Sequence, residues 1–263
     1  MSTPAPGMGS ATPHRSRIRL HLPTVPEALA SLLRTVVVAL FILTFLLQPY
    51  LIPSESMERT LLVGDFLLVD KQIFAPGAGS GSAFHWLMPH REVARGDIVV
   101  FHHPDPPYLV KRVVGIPGDR IRIEDGRVVV NGVPQAEPYA AFEPADPGPG
   151  PDEFPAKVYN DPQVDIGWWR QMQGLTQNGE LVVPPDRYFV LGDNRNHSFD
   201  SRFWGFVPRQ AIIARPLVVY FSISRPSATD VQQAADDRLG HDRELSARFI
   251  GFARWKRIFH VVH

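Results

Sequence analysis

The sequence has no cysteine, which removes disulfides, thiolate metal ligands and a cysteine nucleophile. Net charge is also absent, with 27 basic residues against 27 acidic ones, so nothing global points to a nucleic-acid partner. Lysine is scarce: only Lys71, Lys111, Lys157 and Lys256 occur, and every other basic residue is arginine, which cannot act as a general base. Several familiar catalytic signatures are missing too. There is no G-x-S-x-G elbow, no phosphate-binding G-x-x-x-x-G-K-[ST] loop and no H-E-x-x-H.

What is present begins with one long apolar run. Residues 1–30 are rich in Pro, Ser, Thr and Ala around Arg15, Arg17 and Arg19, and read as a flexible cytoplasmic tail. Then "TVVVALFILTFLLQPYLI" supplies 18 residues without a charge, about 27 Å of helix. The expectation is a single transmembrane helix over 31–52. A buried core helix would need a polar face, and a cleaved leader would need a small-x-small site; neither is evident. Arg15, Arg17, Arg19 and Arg34 before the run, against Arg59 and Lys71 after it, favour an N-terminus inside and an extracytoplasmic remainder.

Beyond the run, short alternating segments separated by Gly, Pro and Asp read as strands: "DFLLVDK", "GDIVVFHH", "YLVKRVVGI", "DRIRIEDGRVVVNG", "GELVVP", "RYFVLGD" and "PLVVYFSIS". Asp125-Gly126 is the clearest hairpin signal. The fold class expected is mostly β, antiparallel sheets or a barrel-like catalytic domain over 53–224, with a Pro-rich surface excursion at about 136–162. In the last segment, 225–263, a polar linker precedes "RFIGFARWKRIFHVVH", which spaces Phe249, Phe252, Trp255 and Phe259 as a short helix would. Such a helix could lie in a membrane interface or dock on its own domain, and both readings stay open.

For chemistry, a Ser-His-Asp set drawing on His102, His103 or His197 stays open, although adjacent histidines at a strand end are commonly turn residues. The other base that serine can use is lysine, which must be neutral to accept a proton. Burial in apolar surroundings can lower a lysine pKa by roughly 3 to 5 units. Lys111 lies mid-strand in "YLVKRVVGI", whereas Lys71 adjoins Asp70 at a strand end. An edge-strand lysine facing water is the competing reading for Lys111. Ser54 and Ser56 taken alone could simply mark the polar end of a membrane helix.

"IPSESMERTLLVGD", "YLVKRVVGIPGDRI" and "LGDNRNHSFDSRFWGFVP", in this order behind an apolar N-terminal run, resemble the bacterial type I signal peptidases, also called leader peptidases. The resemblance covers roughly Ile52 to Ser222, outside the Pro-rich excursion. It implies a membrane-anchored serine endopeptidase that removes signal peptides from exported preproteins at the outer face of the cytoplasmic membrane, with the bilayer and preproteins as partners and no cofactor or metal. By motif position, Ser56 resembles the nucleophile and Lys111 the general base. Ser54 resembles the residue whose hydroxyl joins the Ser56 N–H in the oxyanion hole, and Ser198 the serine that orients the lysine. Asp193, Asp200 and Arg202 resemble polar supports, and Arg112 the arginine paired with an acidic support. Ile52, Pro53, Met57, Leu61 and Val110 would line shallow S1 and S3 pockets for the Ala-x-Ala pattern.

Two positions depart from the family pattern: Arg59 stands where the family usually has proline, and Asn196 where it commonly has aspartate. Proline fixes φ and arginine does not, so the turn after Ser56 is the place affected. Glu55, between the two serines, is expected to point outward. A peptidase dedicated to one substrate would carry the same motifs, and an inactive peptide-binding β-domain would leave the Ser/Lys pair idle.

Overall fold

The computed structural model describes residues 24–42, 46–71, 73–74, 91–142, 153–155, 163–224 and 252–263. It divides the chain into two compact units, 1–41 and 42–263. In the first, α1 (Val25–Phe41) exposes its apolar side chains, among them Leu29, Leu33, Val37 and Leu40.

This helix overlaps the expected membrane span over 31–52 only as far as Phe41, and residues 43–45 lie outside the described residues. No helix among the described residues is long and apolar enough to cross a membrane. The end of the apolar run is not helical at all. It forms β1 (Leu47–Leu51), paired antiparallel along its whole length with β2 (Asp65–Asp70), Leu47 opposite Asp70 and Leu51 opposite Phe66. Hydropathy alone cannot separate a buried strand from a helix segment, and here the ladder with β2, not propensity, decides.

The second unit is mostly β. Its larger sheet adds β3 (Ile98–His102), β4 (Tyr108–Gly115), β10 (Arg187–Leu191), β11 (Val207–Pro208) and β12 (Ile212–Ser222) in the order β1-β2-β12-β3-β4-β10-β11, every pairing antiparallel. The smaller sheet runs β7 (Val133–Pro134), β6 (Arg127–Val130), β5 (Arg120–Glu124), β9 (Glu180–Val182) and β8 (Thr176–Gln177). The β5–β6 hairpin turns at Asp125 and Gly126, both at positive φ (49° and 72°), as the Asp-Gly pair requires. Pro216 is tolerated inside β12 because the register with β2 shifts there.

Burial follows pattern. In β2 buried and half-buried residues alternate, whereas Lys111 to Gly115 in β4 are buried without a break, as in a strand covered on both faces. One apolar cluster joins Ile52, Met57, Leu61, Leu67, Val69, Ile98, Val100 and Val219 beneath the Ser56 turn; a second lies under β10 and β11; a third fills the smaller sheet.

Two elements differ from expectation. A ten-residue helix, α2 (Ile166–Leu175), follows the Pro-rich stretch; Asp165 caps it by accepting the Trp168 N–H at 2.7 Å, and only Trp168 and Met172 are buried. Of the expected C-terminal helix, Phe252 is helical, and from there the chain passes into a 3-10 turn (Trp255–Arg257) followed by β13 (His260–Val261) on β12. Arg257 donates to Asp65 and Val262 enters the cluster under Ser56, so this tail is docked on its own domain. Phe249 and the linker 225–251 lie outside the described residues, as do most of the tail 1–30 and most of the Pro-rich excursion.

Candidate active site

The turn after β1 carries Ser54, in extended backbone (φ −127°, ψ 158°), and then a single 3-10 turn, Glu55–Met57. It brings the Ser56 side chain against the middle of β4. Lys111 Nζ lies 2.6 Å from Ser56 Oγ, with Lys111 only 2% exposed and Ser56 7%. Ser54 Oγ is 3.3 Å from Ser56 Oγ, on the solvent side, and Glu55 is exposed as expected.

Burial is the largest influence on Lys111 and lowers its pKa to about 8. Asp200 opposes this, Arg202 assists it and Asp193 opposes it. A lysine so placed is partly neutral in mildly alkaline conditions and can accept a proton from the hydroxyl beside it.

The two acids are each tied to an arginine. Arg112 Nε donates to Asp193 Oδ1 and Nη2 to Oδ2, both at 2.8 Å, and the Thr60 hydroxyl donates to Oδ2 at 2.5 Å. Arg202 Nε donates to Asp200 Oδ1 at 2.8 Å and Nη2 to Oδ2 at 3.0 Å, while the Gly192 N–H adds a bond at 3.1 Å. Asp200 also caps α3 (Ser201–Trp204). Its full burial would raise the carboxyl pKa, but the charge and hydrogen bonds of Arg202, with help from Lys111 and Gly192, hold it below its ordinary value. Forks of this kind, with every carboxylate oxygen bonded, are what make buried charges tolerable.

The loop after β10 completes the site. Asn194 N–H donates to the Ser56 carbonyl at 3.1 Å and Asn194 Nδ2 to the Glu55 carbonyl at 3.2 Å, so this loop holds the backbone of the Ser56 turn. Gly192 is where they pass closest: a β-carbon there would sit 2.2 Å from Ser198 Oγ and 2.4 Å from the Ser56 carbonyl oxygen. Ser198 is thus beside the pair, but its buried hydroxyl has no hydrogen-bond partner among the described residues, and the expected bond to Lys111 is not made.

The residues expected to line the pockets divide. Ile52, Met57 and Leu61 are 3%, 1% and 0% exposed and pack with half-buried Val110 in one cluster; Pro53 is exposed. Leu61 is therefore a foundation beneath the turn and not an open wall. Of the three candidate histidines, His102 packs on Tyr108, His103 packs on Trp204 with Nδ1 2.9 Å from the Asp105 carbonyl, and His197 is exposed at the end of the 3-10 turn Arg195–His197.

The family described as signal peptidase, peptidase S26, matches residues 25–221. The chain belongs to the signal peptidase family. It is 35% identical over 232 residues to a signal peptidase I from Leptolyngbya laminosa, a match covering 85% of this chain and 92% of that protein. A signal peptidase I from Pseudomonas fluorescens is 34% identical over 204 residues, covering 72% and 70%, and one from Aquifex aeolicus 31% over 238 residues, covering 77% and 87%. The protein is thus a hydrolase of the serine peptidase type.

Signal peptidase motifs account for the serines, the lysine and the paired acids and arginines. Thr60, Gly192 and Asn194 were not assigned roles from sequence. All three lie inside the matching motifs, and the turn chemistry of "LGDN" was the available signal.

Proposed function

We propose that this protein cleaves signal peptides from exported preproteins by a Ser56/Lys111 dyad, after small residues in an Ala-x-Ala pattern. The observation that carries the reading is the 2.6 Å separation of Lys111 Nζ and Ser56 Oγ inside apolar surroundings that depress the lysine pKa to about 8. Neutral Lys111 takes the Ser56 proton as Oγ attacks the scissile carbonyl, and the ammonium so formed protonates the departing amine. Water then hydrolyses the acyl-enzyme with Lys111 again as base. The Ser56 N–H and the Ser54 hydroxyl face the developing oxyanion, where one such donor is worth on the order of 100 to 1,000-fold in rate. Half-buried Val110 and exposed Pro53 border a shallow site whose floor rests on buried Ile52 and Met57.

Membrane anchoring by the N-terminal apolar segment belongs to the same reading. It is supported by the uncharged run that includes part of α1 and by the family. The N-terminus would lie inside and the unit 42–263 on the extracytoplasmic side, where a cleavage site emerges from the bilayer.

The test is cleavage of a preprotein with an Ala-x-Ala site by wild type, Ser56→Ala and Lys111→Met, each in detergent. Both variants are expected to fall to background; undiminished cleavage by either rejects the dyad. Alkaline carbonate extraction of expressing cells tests anchoring, with the protein expected in the pellet.

A further inference from the structure

Arg112 follows Lys111 on β4, and its guanidinium is engaged around its edge. Besides the fork to Asp193 it donates to the Gly96 carbonyl at 2.8 Å and to the His263 carbonyl at 3.2 Å. Its flat face is covered by Tyr139, whose ring centroid lies 3.8 Å from the guanidinium carbon. Tyr139 is in turn fixed at its far end. Its hydroxyl donates to Glu137 Oε1 at 3.1 Å, and Glu137 receives Arg195 Nη2 at 2.6 Å and Nη1 at 2.9 Å.

The backbone around Tyr139 grips the same loop. The Ala141 N–H donates to the Asp193 carbonyl at 2.7 Å, and the Arg195 N–H donates to the Ala141 carbonyl at 2.9 Å. From the Ser56 turn, Arg59 Nη1 donates to the Ala140 carbonyl at 3.2 Å. The loop 192–195 therefore lies between the Ser56 turn on one side and residues 137–142 on the other. The start of the Pro-rich excursion is not a free surface segment but a brace.

We propose that Tyr139 is a positioning residue for the reaction: its ring holds the Arg112 guanidinium in the plane that grips Asp193, and so keeps the Asp193 charge neutralised near Lys111. The proposal rests on the reading of Lys111 as the base. The charges facing Lys111 are Asp193, Asp200 and Arg202; those around Tyr139 are Arg112, Glu137 and Arg195. Removing the ring lets Arg112 tilt out of the fork. Asp193 is then less neutralised, the Lys111 ammonium is favoured, and a higher pH is needed to free the base.

The experiment measures kcat and KM against pH for the full chain with a preprotein substrate, comparing wild type, Ser56→Ala, Tyr139→Leu and Tyr139→Phe. Leucine fills space without a π face, and phenylalanine keeps the face without the hydroxyl. Tyr139→Leu is expected to lower kcat about tenfold, to change KM by about twofold or less, and to move the acid limb of kcat/KM up by about one pH unit. Tyr139→Phe is expected within about twofold of wild type with its limb unmoved. A Tyr139→Leu limb that stays where it was overturns the proposal, whatever the rate. So does a Tyr139→Phe variant as impaired as Tyr139→Leu, which would assign the role to the hydroxyl and Glu137. If Tyr139→Leu does not fold, trifluorophenylalanine at position 139 weakens the face at nearly constant size, and the same limb shift is expected. Full activity in Ser56→Ala rejects the dyad and this proposal together; lost activity there with an unmoved Tyr139→Leu limb rejects the proposal alone.

Discussion

A β-carbon on Gly192 would lie 2.2 Å from Ser198 Oγ, closer than nonbonded atoms can approach. The same carbon would press on the Ser56 carbonyl oxygen at 2.4 Å, so the loop and the nucleophile turn meet at the one residue with nothing to interpose. Gly192→Ala is expected to cost about 1 to 3 kcal/mol of stability through overpacking. Its effect on cleavage should be larger in proportion, on the order of 100-fold in kcat, because a displacement of about 1 Å at a nucleophile can cost that much. Thermal unfolding and steady-state cleavage of the same preparation check the pair of outcomes. A folded Gly192→Ala with wild-type kcat would contradict the close approach.

Arg59 has φ +83°, a conformation that proline cannot adopt. The family's usual proline is therefore incompatible with the turn as this chain builds it. Arg59→Pro is expected to destabilise the protein by about 2 kcal/mol or more. Arg59→Gly relieves a left-handed backbone but gives up the exposed bond to the Ala140 carbonyl, and should lie within about 1 kcal/mol of wild type. Urea denaturation of the two variants gives the comparison. Equal stability of Arg59→Pro and wild type would show that the turn takes the proline geometry.

Much of the β unit was legible because its signals are local. The alternation in β2, the unbroken buried run in β4 and the Asp125-Gly126 turn are read from adjacent residues, and β2, β3, β4, β5, β6, β9, β10 and β12 each fall on a segment whose pattern marks a strand. Strand β1 was not legible, because an apolar run reads as helix until a partner strand claims it, and the partner lies 14 residues beyond its end with a tight turn between. The end of the tail, from Ala253 on, was illegible for the same reason in reverse. Beyond Phe252, which is helical, the aromatic residues at helical spacing lost to a ladder with Val218 and Val219 and to the Arg257–Asp65 pair. At the site, motif positions named the serines and Lys111. Tyr139 and Asn194 act through contacts with residues 27 and 138 positions away, Arg112 and Ser56, which no local pattern records.

The depressed pKa of Lys111 has a consequence for stability as well as for rate. In the unfolded chain the group titrates near 10.4, in the fold at about 8. Between these values the unfolded state holds a proton that the folded state does not, so stability rises with pH across this window. Below it both states are protonated, and the fold carries the full cost of a buried ammonium, on the order of 3 kcal/mol. Lys111→Met is therefore expected to be inactive yet more stable than wild type at pH 7 by about 1 to 3 kcal/mol, with the gap closing toward pH 10. Denaturant titrations at pH 7, 8.5 and 10 decide the matter. A variant less stable than wild type at pH 7 would mean that the ammonium is better compensated than its burial implies.

Asp200 and Arg202 act on Lys111 with opposite signs, which separates an electrostatic role from a purely structural one. Removing the carboxylate charge in Asp200→Asn withdraws a group that favours the ammonium, so the acid limb of kcat/KM should move to lower pH. Removing the guanidinium charge in Arg202→Gln withdraws a group that disfavours it and leaves Asp200 unopposed, so the limb should move to higher pH. Each substitution breaks a buried pair whose side chains are 2% and 0% exposed, and each is expected to cost about 3 to 5 kcal/mol of stability. The stability losses are alike while the limb shifts are opposed, so unfolding cannot account for both. Limbs that moved the same way in the two variants would show that the pair sets the shape of the loop after β10 without tuning the base.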